Sequence, residues 1–256
     1  VRRFRSFRAI SALVIREMTT AYGRSPGGYF WMVAEPVAGI AVLTILFSLI
    51  SRTPPIGVNF PIFYATGLLT FMYYRDLEQK VSTAMKFSRP LLFYPSITYV
   101  DALISRLALA IITQLLVFYI VMAFILAMWA TRTYIEPKFI ISSLFAASIF
   151  AAGIGAVNCV LFSFFPIWQR LWVVINRPLL LISGVIFIFD DVPSQYQGIL
   201  WYNPIVHLVG QMRKGFYPTY RGEYIEILYP IFIGMMLIFV GLILLNRFNR
   251  DILNLT

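Results

Sequence analysis

The sequence predicts an all-α polytopic membrane protein. It has six transmembrane helices, an N-terminal amphipathic interfacial helix and a re-entrant helical hairpin between spans five and six. Three observations lead there. First, 60% of the 256 residues are hydrophobic and only 12% are charged, against about 25% charged in a soluble domain. Second, the long charge-free runs do not alternate apolar with polar residues, which excludes a barrel and leaves helices to satisfy the backbone in lipid. Third, lysine and arginine segregate. With the N-terminus in the cytoplasm, six precede span one and five lie in the second connection. Arg170, Arg177, Arg247 and Arg250 complete an inner set of 15, and six remain outside. That asymmetry places both termini in the cytoplasm.

The chain reads as one membrane domain, 1–256. Residues 1–29 form the interfacial helix, 30–189 spans one to five, 190–226 an external re-entrant hairpin, and 227–256 span six with a cytoplasmic tail. The basic N-terminus lacks a short apolar core with a small-residue cleavage site, so the first span itself is expected to direct insertion. Within residues 4–22, at about 100° per residue, Phe4, Phe7, Ile10, Val14, Ile15, Met18, Ala21 and Tyr22 share one side, opposite Arg5, Arg8 and Arg16. Ser11 and Leu13 fall off the pattern. Such a helix lies on the inner leaflet with its arginines toward phosphates or water.

The six apolar segments are Phe30–Ile50, Phe60–Tyr74, Leu107–Trp129, Phe139–Phe165, Leu171–Phe189 and Ile227–Leu245. The second is short and holds Pro61 and Gly67; the fifth is interrupted by Arg177 and Pro178. The connection Arg75–Arg106 is a mixed-charge cytoplasmic loop. Its apolar patch, Pro90-Leu91-Leu92-Phe93-Tyr94-Pro95, is bracketed by prolines, which suggests a short angled helix offering a protein contact. Between Asp190 and Glu226, two apolar stretches meet at Asn203-Pro204, where a helix breaks. A hairpin dipping in from the outer face fits this pattern.

Glu35 and Pro36 stand early in span one, and Arg177 and Pro178 early in span five. Each charge lies about 8–9 Å along its helix from the cytoplasmic end, where burial costs less than the roughly 2.5–3.5 kcal/mol of mid-bilayer. Equal depth suggests an intramembrane Glu35–Arg177 pair; otherwise each faces a wet cavity or the transported substrate. Glu35-Pro36 also reads as the joint where the interfacial helix hands over to span one.

A single cysteine, Cys159, allows no internal disulfide and reads as a packing residue. The lone His207 has no partners at metal-ligand spacing and reads as a structural histidine. There is no G-x-x-x-x-G-K-[ST] loop, HExxH or GxSxG. The chain itself is not expected to be an enzyme; any energised work needs nucleotide hydrolysis on another chain. No repeat is visible, which disfavours inverted-repeat carriers.

Arg16-Glu17, Tyr22-Gly23, Gly28-Tyr29, Trp31 and Pro36, with Trp201-Tyr202-Asn203-Pro204, Arg213 and Phe216 downstream, resemble the ABC-2-type permeases. The resemblance runs along nearly the whole chain and leans toward the permeases that export capsular polysaccharide from Gram-negative bacteria. Permeases for an O-chain, teichoic acid or a drug would read similarly. Glu35 departs from the pattern, since many relatives are uncharged there.

The resemblance implies a homodimer in the bacterial inner membrane. It implies two ATPase subunits carrying ATP and Mg, a periplasmic-spanning polysaccharide copolymerase and an outer-membrane exporter. The substrate would be a lipid-linked polysaccharide; nucleic acid is not expected despite the net charge of +10. Arg89, Pro90, Leu91, Leu92, Phe93, Tyr94 and Pro95 are the candidate ATPase-coupling contact. Trp201, Tyr202, Asn203, Pro204 and His207 are the candidate external gate. Aromatic faces stack on sugars and guanidinium forks match phosphate. The candidate path residues are therefore Tyr22, Tyr29, Trp31, Tyr64, Tyr73, Tyr74, Trp168 and Trp172, with Arg16, Arg24, Arg170 and Arg177.

A membrane-embedded lipid-modifying enzyme is the alternative of a different class. It should cluster acids or histidines at the membrane face, whereas Asp76, Glu78 and Asp101 are scattered; Asp76 and Glu78, within reach of lysines and arginines, read as a solvated loop. An ion channel or ion-coupled carrier would want acids in mid-span, and only Glu35 comes near.

Overall fold

The structure is a computed structural model. It describes residues 5–22, 28–92 and 97–255; residues 5–7, 19–22, 28–29, 254 and 255 are described by their backbone alone. Ten α-helices follow in order among the described residues: α1 (Arg5–Tyr22), α2 (Gly28–Ile50), α3 (Phe60–Ser82), α4 (Ala84–Leu92), α5 (Tyr99–Met128), α6 (Pro137–Phe164), α7 (Pro166–Ile182), α8 (Ser194–Trp201), α9 (Pro204–Lys214) and α10 (Leu228–Leu255). Among the described residues there is no strand.

Prolines punctuate these helices as the backbone requires. Pro61, Pro137, Pro166 and Pro204 each occupy a first-turn position, where the missing N–H costs nothing. The Phe165-Pro166 step separates α6 from α7, since a residue before proline avoids helical backbone. At Thr98, a capping box starts α5: Thr98 Oγ1 accepts from the Asp101 N–H (3.2 Å), and the Thr98 N–H donates to Asp101 Oδ2 (3.0 Å). Asp101 is thus a buried cap.

Four helices are long and apolar enough to cross a membrane: Phe30–Ile50, Tyr99–Met128, Pro137–Phe164 and Leu228–Leu253. The segments predicted as spans two and five depart from that pattern. α3 buries 17 of its 23 residues and packs against α2, α5, α6 and α9. It is the central post, and it runs eight residues past Tyr74. Most of the predicted second connection is therefore helical. Arg75, Asp76, Glu78 and Lys80 stand on α3, with Glu78 buried.

α7 stops at Ile182, seven residues before the predicted end of span five. Gly184 then takes φ +73°, a left-handed conformation that glycine adopts without steric penalty. The chain folds back, burying Val185, Ile188 and Phe189. Buried Arg213 holds this turn: Nη1 donates to the Phe187 carbonyl (2.8 Å) and Nη2 to the Val185 carbonyl (3.0 Å). Its guanidinium also sits over the Phe63 ring, 4.2 Å from the centroid.

The closest helix pair is α6 with α10. A Cβ on Gly234 would come within 2.8 Å of the Phe150 N and Cα; hydrogen there lets the two backbones touch. α1 lies against α5. Its buried side is Leu13 and Glu17, while Ile15 and Met18 are exposed. The contact stripe is thus rotated from the one read off the periodicity. Finally, α2 runs unbroken through Glu35 and Pro36. α1 ends at Tyr22 and α2 begins at Gly28, so Glu35-Pro36 lies inside α2 and is not where one helix hands over to the other.

Candidate functional site

Two polar assemblies and one hairpin stand out. The first assembly ties α1, α3 and α5 together. Glu17 Oε1 accepts from Arg106 Nη1 (2.6 Å) and lies 3.7 Å from Lys80 Nζ. Arg106 also donates to the Lys80 carbonyl (3.1 Å) and Thr83 Oγ1 (3.0 Å), and lies over Phe87. Glu17 and Arg106 are both nearly inaccessible, so each is compensated inside the protein, as buried charges must be.

The second is a cavity of about 400 Å³ bounded by α3, α6 and α7. Its wall includes Phe71, Arg75, Glu78, Trp172, Asn176 and Arg177. α7 contributes no buried residue and packs mainly on α6; standing off α3, it leaves this space. The Glu78 carboxylate accepts from Asn158 Nδ2 (2.8 Å), and Asn158 Oδ1 accepts from Trp168 Nε1 (3.0 Å). Trp168 and Trp172 lie with ring centroids 6.0 Å apart. Two buried polar atoms on this wall lack a protein hydrogen bond: Trp172 Nε1, which faces Glu78 without closing one, and Asn176 Oδ1.

Glu35 pairs with Arg75 of α3 (3.1 Å), which also bonds Asp76. The predicted Glu35–Arg177 pair does not form; among the described residues neither makes an ion pair with the other. The extension of α3 explains this, because it presents a guanidinium to α2 before α7 can. Arg177 instead joins Arg75 on the cavity wall.

The hairpin consists of α8 and α9 joined at Tyr202-Asn203. Asn203 caps α9: its Oδ1 accepts from the Ile205 N–H (3.1 Å), while Nδ2 donates to the Ile182 carbonyl and Ser183 Oγ, both at 3.2 Å. α9 is buried from Ile205 to Arg213 and packs on α3 and α6, whereas α8 has no buried residue. His207 sits inside with Nε2 2.8 Å from the Trp201 carbonyl and Nδ1 accepting from the Glu226 N–H (3.1 Å). Both contacts are satisfied only by the neutral ring protonated on Nε2. Burial holds the imidazole below its usual pKa, against the opposing Trp201 carbonyl and Glu226 charge. Trp201 completes the knot, its Nε1 donating to the Tyr224 carbonyl (3.1 Å) and its ring against those of His207 and Tyr229.

The remaining predicted residues divide by location. Tyr64 and Tyr74 are interior packing groups of α3, against Phe60 and Phe150 respectively. Tyr73 is also buried and bonds Ser148 (2.8 Å), at the edge of an apolar groove between α5 and α6. Trp31, Arg16 and Arg170 are exposed. On α4, Arg89 donates to the Leu253 carbonyl (3.0 Å), Pro90 is exposed, and Leu91 and Leu92 are half-buried. Arg24, Phe93, Tyr94 and Pro95 lie outside the described residues, as do the side chains of Tyr22 and Tyr29.

Sequence reasoning gave no site role to Glu17, Glu78, Arg106, Asn158, Asn176 or Arg213. Their only signal was a polar residue inside an apolar-faced helix, and their partners lie far along the chain.

Comparison with known proteins agrees with this architecture. The polysialic acid transport protein KpsM of Escherichia coli is 29% identical over 239 residues, covering 92% of this chain and 91% of its own. The capsule polysaccharide export inner-membrane protein BexB of Haemophilus influenzae is 24% identical over 246 residues, covering 96% and 92%. CtrC of Neisseria meningitidis serogroup B, described in the same words, is 23% identical over 246 residues, also covering 96% and 92%. The model of the ABC-2 type transporter family matches residues 8–217, from α1 through the hairpin, and the chain belongs to that family.

Proposed function

We propose that this chain is the membrane-spanning permease subunit of an ATP-driven exporter that moves lipid-linked capsular polysaccharide across the bacterial inner membrane. The observation that carries the reading is similarity along more than nine-tenths of the chain to three capsule and polysialic acid transport proteins. The permease works as a homodimer with both termini in the cytoplasm and six spans, α3 and α7 supplying the second and fifth. Two separate ATPase subunits bind ATP and Mg and dock against α4. A periplasmic-spanning copolymerase and an outer-membrane exporter carry the polymer onward.

α4 is placed to transmit movement. It touches α3, α5, α6 and α10, so closure of the ATPase pair would shift the inner ends of four helices together. At the outer end, the α8–α9 hairpin dips into the membrane and closes the path. The buried face of α9 anchors it, and Trp201 ties the C-terminal end of otherwise exposed α8 to that anchor.

Deleting the gene in its host tests the proposal. Polysaccharide should accumulate in the cytoplasm and vanish from the surface, and a plasmid copy should restore it. Unchanged surface polysaccharide in the deletion strain would refute the reading.

A further inference from the structure

The cavity between α3 and α7 is built like a sugar site, and this inference rests on the proposed export of a glycan. Its volume, about 400 Å³, falls in the range of small-molecule sites, roughly 300–1,000 Å³. Its chemistry is unusual for a membrane interior. Glu78, a buried carboxylate, has one amide donor and, among the described residues, no lysine or arginine within ion-pair distance. Beside it, the indole N–H of Trp172 approaches the Glu78 carboxylate without a close hydrogen bond, and the amide oxygen of Asn176 is buried with no hydrogen-bond partner among the described residues. Buried polar atoms left unpaired cost free energy, so a wall with a donor, an amide acceptor and a carboxylate together calls for a ligand that donates and accepts several times.

A pyranose ring meets those demands. Each hydroxyl both donates and accepts, which matches Glu78 and Asn176 as acceptors and Trp172 and Arg177 as donors. Its C–H face is apolar and suits the indole and phenyl faces of Trp172 and Phe71. A simple anion fits worse. Arg75 is already engaged by Glu35 and Asp76, and Glu78 opposes the remaining charge of Arg177. We infer that this cavity holds a single sugar unit of the exported polymer through its hydroxyl groups, with Trp172 Nε1 and Asn176 Oδ1 as the contacts that pair on binding.

The test is photocrosslinking in cells that make the host's own polysaccharide. A benzophenone amino acid replaces Val173, on the cavity wall, or Val174, which is exposed and not on that wall. Irradiation should give a periodate-sensitive, high-mass adduct from position 173 and little from 174. In the 173 background, Trp172→Phe removes the N–H but keeps an aromatic face, and Asn176→Leu removes the acceptor. Each should cut the adduct about tenfold, the scale of one lost buried hydrogen bond, with the protein still present in the membrane at normal abundance. No adduct at 173 in cells that still export overturns the site while leaving the export function intact. Equal adducts from 173 and 174, or adducts unaffected by both substitutions, also overturn it; the two atoms are then paired by water. Surface polysaccharide that persists when this chain is deleted would instead refute the export reading itself.

Discussion

At the scale of single residues, the buried charge shared by α1 and α5 is met by a fixed partner. Glu17 faces Arg106 at 2.6 Å in a nearly dry contact between α1 and α5. Removing one member of such a pair strands the other, at about 3–5 kcal/mol. Glu17→Leu should therefore lower the thermal midpoint of the purified protein sharply. Glu17→Gln, which keeps an acceptor, should do so by less. Equal effects of both would mean that packing, not charge, dominates. His207 makes a second residue-scale prediction. Its depressed pKa means the folded hairpin binds a proton more weakly than the unfolded chain, whose histidine titrates near 6.5. Stability should be flat above that pH and fall below it, as protonation of Nδ1 breaks the Glu226 contact. His207→Gln should melt lower at neutral pH but show a shallower decline toward pH of about 5.5. An identical pH slope in both proteins would show that other groups set it.

At the scale of elements, the close α6–α10 crossing tolerates no side chain at Gly234. Gly234→Val would have to push the two backbones apart, and overpacking of this kind costs about 1–3 kcal/mol or more; membrane abundance and melting temperature should both drop. The hairpin is held more lightly. Losing the Asn203 cap should cost roughly 0.5–2 kcal/mol. Asn203→Ala should thus leave the fold intact while raising thiol labelling of a cysteine placed at Ile205, which is buried in the parent. Unchanged labelling would show that the cap does not hold the turn. These elements differ in how legible they were. α2, α5, α6 and α10 were plain in hydropathy because lipid rewards apolar length wherever it points. The Asn203-Pro204 break was plain because it is backbone chemistry. The end of α3 and the stop of α7 were not. Glu78 is tolerated because Asn158 reaches it from 80 positions away, and the turn after Ile182 is held by Arg213 from 26 and 28 positions away. In lipid, the usual link between hydropathy and burial also fails: apolar α2 is largely exposed, whereas charge-bearing α3 is the core.

At the scale of the whole molecule, the proposed export would need coupling to pass from an ATPase on the cytoplasmic side to a hairpin at the other end of α3. α4 is short and amphipathic, and its Arg89 grips the Leu253 carbonyl near the end of α10. α10 in turn runs back along α6, which supports α9. A push on α4 thus reaches the hairpin along two rigid routes: α3 directly, and α10 through α6. The Arg89 contact belongs to the second route alone, and a charged hydrogen bond of this kind is worth about 1.5–3 kcal/mol. Arg89→Ala should therefore leave the permease folded and still bound to its ATPase, with nucleotide hydrolysis retained. Export per ATP consumed should fall several-fold, because a share of each stroke is no longer delivered. Reconstituted complexes scored for both hydrolysis and polymer translocation give that ratio directly. If the ratio stays at the parental value, α10 carries none of the stroke and α3 alone couples the two ends. If hydrolysis and translocation fall in step, Arg89 serves ATPase docking and not transmission.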